Sequence, residues 1–98
     1  MSFNRRFRYQ FTDREIAEHA PSSSGVYGIF NRAGCVYVGE TPDIQASLFS
    51  QLRGGTDESY WIRSLNPNRF AFEQVSGPDR CEREHRLIDE LNPVCNRP

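Results

Sequence analysis

The chain has 98 residues, which is enough for one domain with a modest core and too few for two. Its apolar content of 37% favours a folded protein over a disordered segment. The formal net charge of −1 excludes a strong bulk attraction to nucleic acid. All 12 basic residues are arginine, whose planar guanidinium binds phosphate with two hydrogen bonds and so suits this contact better than lysine.

The three cysteines give no sign of a disulfide framework or a zinc site. Cys35, Cys81 and Cys95 are odd in number and show no C-x-x-C spacing. No stretch has the length of a membrane span or the apolar core of a signal peptide. The sequence therefore predicts reduced thiols, a cytoplasmic location and no membrane partner.

The first 21 residues predict a strand followed by a short helix. From Phe3 to Phe11 aromatic and polar residues alternate with the period of a half-buried strand. Thr12 and Glu15 then fit a capping box at the start of a helix that ends before Pro21. The arginines of the strand are interpreted as the solvated face of an edge strand, with phosphate contact as the alternative. They are Arg5, Arg6 and Arg8.

The next segment predicts a β-hairpin. Two short apolar runs, Val26–Phe30 and Cys35–Val38, flank a polar turn that ends in glycine. Strict alternation along these strands places Tyr27 and Tyr37 on one face of the sheet and Val36 on the opposite face.

Two helices and a third strand are predicted to follow. From Ile44 to Leu52 every fourth residue is apolar, which is typical of a helix with one buried stripe. A second helix is predicted over Asp57–Leu65, and Phe70–Val75 alternates like a strand with one apolar face. Tyr60 and Trp61 of the second helix are interpreted as core or groove-lining residues, with stacking on a base as the alternative.

The last helix carries a carboxylate on its apolar face. At about 100° per residue, Cys81, Leu87, Ile88 and Leu91 share one face, and Glu84 lies near its middle. A charge among apolar neighbours is costly unless it has a partner. The residues alone leave two partners open: a metal ion, or a hydrogen-bonding network with the tyrosines and an arginine.

The hairpin and the C-terminal region together resemble the GIY-YIG nuclease superfamily. Gly25-Val26-Tyr27 matches the first tripeptide of the family and Tyr37-Val38-Gly39 matches the second. Glu84–Ile88 is similar to the family's E-x-x-L-I motif, and Pro93 and Asn96 match its closing proline and asparagine.

The resemblance implies an α+β fold. A small three-stranded antiparallel sheet, with the N-terminal strand as a possible fourth, is expected to be flanked by helices. Residues 1–98 are predicted to form a single domain, in which 1–21 are an extension of strand and helix and 22–96 are the core.

The resemblance also implies metal-dependent hydrolysis of phosphodiesters in nucleic acid. Glu84 is expected to bind one divalent cation, Mg²⁺ or Mn²⁺. Of Tyr27 and Tyr37, one is expected to position or deprotonate the attacking water and the other to belong to the same network. The implied supporting residues are Gly25, Gly39 and Asn96.

This sequence departs from the family at the positions of two cationic residues. Ser47 stands where the family usually has an arginine, and Gln51 stands where it often has a histidine. Loss of a preorganised charge-stabilising group costs about 10²–10³ in rate. An active enzyme would need a replacement, either from a partner chain or from another arginine such as Arg53, Arg63 or Arg69.

Three functions therefore stay open from the sequence. The preferred interpretation is a catalytically impaired GIY-YIG domain that is retained to bind nucleic acid or a protein. The second is an active metal-dependent endonuclease with its arginine supplied from another position. The third is an unrelated function on the same scaffold, since a fold does not fix a function.

Overall fold

Four antiparallel strands form one sheet in the order β1-β4-β2-β3 in a computed structural model that describes Phe3 and residues 8–96. The strands are β1 (Tyr9–Gln10), β2 (Gly25–Asn31), β3 (Gly34–Thr41) and β4 (Arg69–Gln74). The helices are α1 (Asp13–His19), α2 (Ile44–Arg53), α3 (Asp57–Ser64) and α4 (Gly77–Leu91), followed by a short 3-10 turn at Val94–Asn96. The predicted α+β fold with a small antiparallel sheet is confirmed.

The N-terminal strand is shorter than the alternation predicted. Among the described residues only Tyr9 and Gln10 pair with β4, and residues 4–7 of the predicted strand, with Arg5 and Arg6, lie outside the described residues. Arg8 does not lie on a solvated face, because its guanidinium carbon lies 3.9 Å from the centre of the Phe30 ring. Half of the capping box predicted for the helix that follows is confirmed, since the Thr12 side chain accepts a hydrogen bond from the Glu15 amide. The other half is absent, because the Thr12 amide donates to the Gln10 carbonyl instead of to the Glu15 side chain.

Strand β3 contains a bulge that changes the face of one residue. Ile29 pairs with Tyr37 and Phe30 pairs with Cys35, so Val36 is the extra residue. Val36 therefore packs on the same side of the sheet as Tyr37, and the strict alternation predicted for it was wrong. The prediction for the two tyrosines is unaffected.

The sheet separates two apolar cores. Helices α1, α2 and α3 bury one face, where Ile16, Leu48 and Ile62 have no exposed surface. Helix α4 covers the other face, with Leu87 fully buried against it. Cys81 of the predicted apolar stripe is exposed, because α4 contacts the sheet further along its length. Strand β3 forms one edge of the sheet, and both α2 and α4 contact it there.

Among the described residues no helix combines the length and the apolar character that a membrane crossing requires.

Candidate functional site

The site begins with a glycine that lets an aromatic ring cross the edge strand. Tyr27 of β2 lies opposite Gly39 of β3 in the register of the two strands. A Cβ atom at position 39 would lie 2.7 Å from both Cζ and Oη of Tyr27. The missing side chain therefore allows the phenol to lie over β3, where only 4% of Tyr27 is exposed.

We expect Gly39→Ala to destabilise the protein by about 1–3 kcal/mol, because the new methyl group overlaps a buried ring. Urea unfolding measures the change. Gly77→Ala is the matched control, since a Cβ at Gly77 meets nothing closer than 3.6 Å. Equal stability of the two variants would contradict this account of the glycine.

Glu58 of α3 joins the two tyrosines in one hydrogen-bonding network. The Tyr37 hydroxyl donates to Oε2 of Glu58 over 2.8 Å. The Gln51 amide nitrogen donates to Oε1 of Glu58 over 2.6 Å and to the Tyr27 hydroxyl over 3.1 Å. The ring centres of Tyr27 and Tyr37 are 6.0 Å apart, so the phenols share one face as predicted.

Sequence reasoning missed Glu58. An acid in the first turn of a helix is commonly explained by the helix dipole alone, and nothing in the local sequence indicates a contact with β3. Gln51, in contrast, was singled out as the position where the family often has a histidine, and the structure places it at the centre of the network.

The environment keeps both phenols protonated at neutral pH. Burial is the largest cause that raises the pKa of Tyr27 to about 12, and the charges of Glu58 and Glu84 add to it. The hydrogen bond with Gln51, which is the second-largest cause, and the hydrogen bond with Tyr37 lower the pKa in part. Burial and the neighbouring Tyr27, Glu58 and Glu84 raise the pKa of Tyr37 as well. The two hydroxyl groups are therefore suited to donate hydrogen bonds and poorly suited to abstract protons.

The shifted pKa of Tyr27 predicts a loss of stability in alkali. The folded protein holds this proton more tightly than the unfolded chain between about pH 10 and 12, so its contribution is complete below pH 10 and disappears as the pH rises through 12. The difference in free energy of unfolding between wild type and Tyr27→Phe should shrink by about 2–3 kcal/mol across that range. Urea unfolding at several pH values measures the difference, and a constant difference would contradict the assignment.

Glu84 reaches the same edge of the sheet from the opposite layer. Its side chain is half-buried, and burial is the largest cause that raises the pKa of its carboxyl group, with the charges of Glu40 and Glu58 adding to it. A hydrogen bond from the Glu40 backbone amide opposes the shift. The charge of Glu84 makes the smallest of the named contributions to the raised pKa of each tyrosine, and Glu84 does not itself line the pocket that the two phenols share.

The tyrosines open onto a pocket of about 320 Å³. Ser47 lies in its wall, with its hydroxyl oxygen 2.6 Å from the Thr41 hydroxyl oxygen. The wall contains two carboxylates, those of Glu40 and Glu58, and none of the described arginines. The full lining consists of Tyr27, Tyr37, Glu40, Ala46, Ser47, Ser50, Gln51, Thr56 and Glu58. This pocket is negatively charged where a phosphate would need a cation.

The three arginines predicted as possible replacements have contacts elsewhere. Arg53 pairs with Asp13 over 3.2 Å, and its guanidinium lies 4.5 Å from the centre of the Phe49 ring. Arg63 donates to the backbone carbonyl of Arg53 over 3.5 Å. Arg69 donates to a backbone carbonyl at the far end of the sheet. None of the three lines the pocket.

Arg80 of α4 forms an ion pair with Glu40, one of the residues that line the tyrosine pocket. It lies one helical turn before Glu84, and its Nε is 2.7 Å from a carboxylate oxygen of Glu40. Its guanidinium also donates to the Ser24 hydroxyl over 3.0 Å. The positive charge of Arg80 is therefore paired with a carboxylate of the wall.

Asn96 and Gly25 contribute to the shape of the site. The Asn96 side chain accepts from the Val38 amide over 2.7 Å and donates to the Val38 carbonyl over 2.8 Å, as a neighbouring strand would. These bonds occupy the free edge of β3 directly beside Tyr37. A Cβ atom at Gly25 would collide with the backbone carbonyl of Glu73, so this glycine allows β2 and β4 to pack closely.

One group of three possible metal ligands lies elsewhere among the described residues. Glu15, Glu18 and His19 place one ligand atom each within 4.8 Å of the others on α1. Glu18 and His19 are exposed, and the His19 ring stacks on Tyr9 with a centre distance of 4.1 Å. This group is a solvated helix end, apart from the tyrosines and Glu84.

Several solved structures of one protein domain are similar to this chain. The magnesium-bound GIY-YIG N-terminal endonuclease domain of UvrC from Thermotoga maritima is 23% identical, with 87% of this chain and 96% of that chain covered and a TM-score of 0.73. A tyrosine-to-phenylalanine variant bound to its catalytic divalent cation is 23% identical, with 88% and 96% covered and a TM-score of 0.73. An asparagine-to-alanine variant is 23% identical, with 85% and 92% covered and a TM-score of 0.71. No protein-family model and no curated protein matches the chain.

The similarity extends over most of both chains, so this protein has the fold of the GIY-YIG endonuclease domain. The resemblance predicted from the two tyrosine motifs and the last helix is thereby confirmed at the level of the fold. The roles of Tyr27, Tyr37, Glu84 and Asn96 stay predictions.

Proposed function

Starting from the GIY-YIG fold, we propose that this protein is a nuclease-like domain with impaired phosphodiester hydrolysis that is retained to bind nucleic acid. The observation that carries the proposal is the charge of the pocket. Its described wall has carboxylates from Glu40 and Glu58, and Ser47 provides a neutral hydroxyl where hydrolysis needs a cation.

Glu84 has the properties of a ligand for a divalent cation. Carboxylate oxygen is the ligand that Mg²⁺ prefers, and Mg²⁺ is commonly held by one or two carboxylates with water completing its shell. Burial and two nearby carboxylates disfavour the charged form of Glu84, and a bound cation would offset that cost. We propose that Glu84 holds the ion here, as the similar UvrC domain binds magnesium. Such an ion would supply charge neutralisation at phosphate oxygens and a more acidic bound water.

The Tyr27 hydroxyl, which accepts from Gln51, would orient a phosphate or a water without removing a proton. The Tyr37 hydroxyl already donates its proton to Glu58 and would have to leave that bond to do the same. Tyr27 and Tyr37 both have raised pKa values, so each remains a hydrogen-bond donor at neutral pH. Gln51 and Glu58 fix the directions of the two hydroxyl groups. The site therefore keeps the parts that bind and orient a phosphodiester.

The same site is poorly suited to stabilise the transition state of hydrolysis. Negative charge on the phosphoryl oxygens would face the carboxylate of Glu58, whose hydrogen bonds come from neutral groups, whereas the charge of Glu40 is offset by its ion pair with Arg80. The charge-stabilising group that is missing at Ser47 is worth about 10²–10³ in rate. The repulsion and the missing cation act mainly on the transition state, because charge on the phosphoryl oxygens increases there. Binding of the phosphodiester to a metal ion at Glu84 is therefore weakened less than cleavage.

An active endonuclease is the second candidate, and Arg80 is the observation that favours it. Separation of the ion pair between Arg80 and Glu40 would free a guanidinium beside the pocket. In that case cleavage would require Arg80 and would be stimulated when Glu40 is neutralised.

Fluorescence anisotropy with labelled single-stranded and duplex DNA and RNA tests the proposed function. We expect binding that weakens steeply as salt increases, because phosphate contacts release counterions. The oligonucleotide should remain intact after incubation in Mg²⁺ or Mn²⁺. Cleavage that is lost in Glu84→Gln and Arg80→Ala would favour the active enzyme, and absence of binding to every nucleic acid would refute the proposal.

A further inference from the structure

Three neighbouring cavities border one side of α3, and the first of them is the tyrosine pocket. Glu58 and Trp61 of the helix and Leu65 at its C-terminal cap follow at spacings of three and four residues, which places them on one side of α3. Glu58 lines both the tyrosine pocket and the next cavity, and Leu65 lines that cavity and a third one. We call the surface formed by these neighbouring cavities the α3 trench; the two cavities beyond the tyrosine pocket are lined by the residues given below.

The middle of the α3 trench is apolar and exposes a large aromatic ring. It has a volume of about 470 Å³ and is lined by Glu58, Trp61, Ser64, Leu65, Val94 and Cys95. Trp61 and Val94 are 61% and 60% exposed and line the same cavity, so they form one exposed apolar patch of the kind that marks a contact site. The interpretation of Tyr60 and Trp61 as core residues was wrong, since both are mostly exposed; Trp61 lines this groove, and Tyr60 does not.

The far end of the α3 trench is polar and carries a positive charge. Its cavity of about 430 Å³ is lined by Asn31, Arg32, Ala33, Leu65, Asn66 and Asn68. Arg32 lies in the hairpin turn and is exposed. A guanidinium with neighbouring amide groups is a suitable surface for phosphate oxygens.

Both oxygens of the carboxylate at the near end of the α3 trench are engaged in hydrogen bonds with the tyrosine pocket. One oxygen of Glu58 accepts from Gln51 and the other accepts from Tyr37, both of which belong to the tyrosine pocket. A chain that lies in the trench would thus meet an aromatic ring and a guanidinium before it reaches the acidic site.

We infer that the α3 trench binds single-stranded nucleic acid, with a base stacked on Trp61 and the backbone held by Arg32. The inference rests on the proposed binding of nucleic acid and names the surface and the strand form. Every base has a face that stacks on an aromatic ring, and in a duplex those faces are covered by neighbouring base pairs. From Glu58 to Leu65 the helix rises about 10 Å, the length of about three stacked nucleotides. The strand would lead towards the pocket of Tyr27 and Tyr37.

The tryptophan itself provides the readout. The chain has one Trp, so its emission reports on this trench alone. Titration with unlabelled oligothymidylate should quench the emission in a saturable manner. For Trp61→Ala, anisotropy of a labelled oligothymidylate should show an affinity lower by about 5- to 150-fold, the range for loss of one base stack.

Two control variants, one at Tyr60 and one at Arg14, show whether a loss of affinity comes from the trench or from the loss of any aromatic ring or positive charge. Tyr60→Ala removes an aromatic side chain of similar exposure that contacts the Trp61 ring edge-on at 5.5 Å but does not line the cavity, so it should lower affinity far less than Trp61→Ala. Arg32→Ala should reduce affinity and lower the slope of log affinity against log salt by about 1. Arg14→Ala removes the same charge from the exposed face of α1 and should change neither.

The outcomes distinguish failure of this inference from failure of the proposed function. Salt-sensitive binding that is unchanged in Trp61→Ala and Arg32→Ala would overturn the trench and leave nucleic-acid binding standing. Absence of binding to any nucleic acid would overturn both. Duplex binding without quenching, or quenching by an apolar peptide and not by oligothymidylate, would also overturn the assignment.

Discussion

Ser47→Arg is expected to raise metal-dependent phosphodiester cleavage by about 10²-fold over wild type. Ser47 lies in the wall of the tyrosine pocket, so a guanidinium there would supply the missing positive charge beside Tyr27 and Tyr37. Glu40 in the same wall would compete for the new arginine. The double variant with Glu40→Gln should therefore cleave faster than Ser47→Arg alone. Nicking of supercoiled plasmid in Mg²⁺ or Mn²⁺ measures the rates.

Two controls define that result. Ser47→Gln adds bulk without charge and should leave cleavage at the wild-type level. Glu84→Gln in the Ser47→Arg background should abolish the gain, because the proposed metal ligand is lost. Flat cleavage by the double variant at saturating Mg²⁺ and Mn²⁺ would show that the pocket does not have the geometry of a vestigial nuclease site.

Divalent cations are expected to raise the melting temperature of the wild-type protein by roughly 10–20 °C at 100 times the dissociation constant. An ion that binds only the folded state adds about 2.7 kcal/mol at that concentration. For a domain of this size, 1 kcal/mol shifts the melting temperature by about 4–8 °C. Differential scanning calorimetry across a titration with Mn²⁺ measures the shift.

Glu84→Gln should lose this dependence on metal. It should also be more stable than wild type without metal at neutral pH, because a raised pKa means that the charged carboxylate destabilises the folded state above the unfolded pKa. Glu15→Gln on α1 is the control for the exposed ligand group and should keep the full response. Loss of the response in Glu15→Gln with retention in Glu84→Gln would place the ion on α1 instead.

Much of this site could be predicted because its residues follow the periods of single elements. Alternation along a strand placed Tyr27 and Tyr37 on one face, and the helical period placed Glu84 on the apolar side of the last helix. Both patterns depend only on local geometry, which the sequence carries directly.

What could not be predicted depends on insertions and on contacts between distant segments. The bulge at Val36 shifts the alternation by one residue, and no residue type in the hairpin indicates it. The contact of Glu58 with Tyr37 joins two residues that are 21 positions apart in the chain and belong to different elements. The pairing of Arg80 with Glu40 likewise depends on how α4 crosses the sheet, so sequence reasoning considered Arg53, Arg63 and Arg69 instead.

The most direct test of the central claim is a comparison of single-turnover phosphodiester cleavage by wild type and Glu84→Gln at saturating Mg²⁺ and Mn²⁺, with bound oligonucleotide confirmed by anisotropy. Equal, background rates for both proteins are predicted, since the site holds an ion and a phosphodiester without a cation for the transition state. Cleavage by wild type that is clearly faster than by Glu84→Gln would contradict an impaired site.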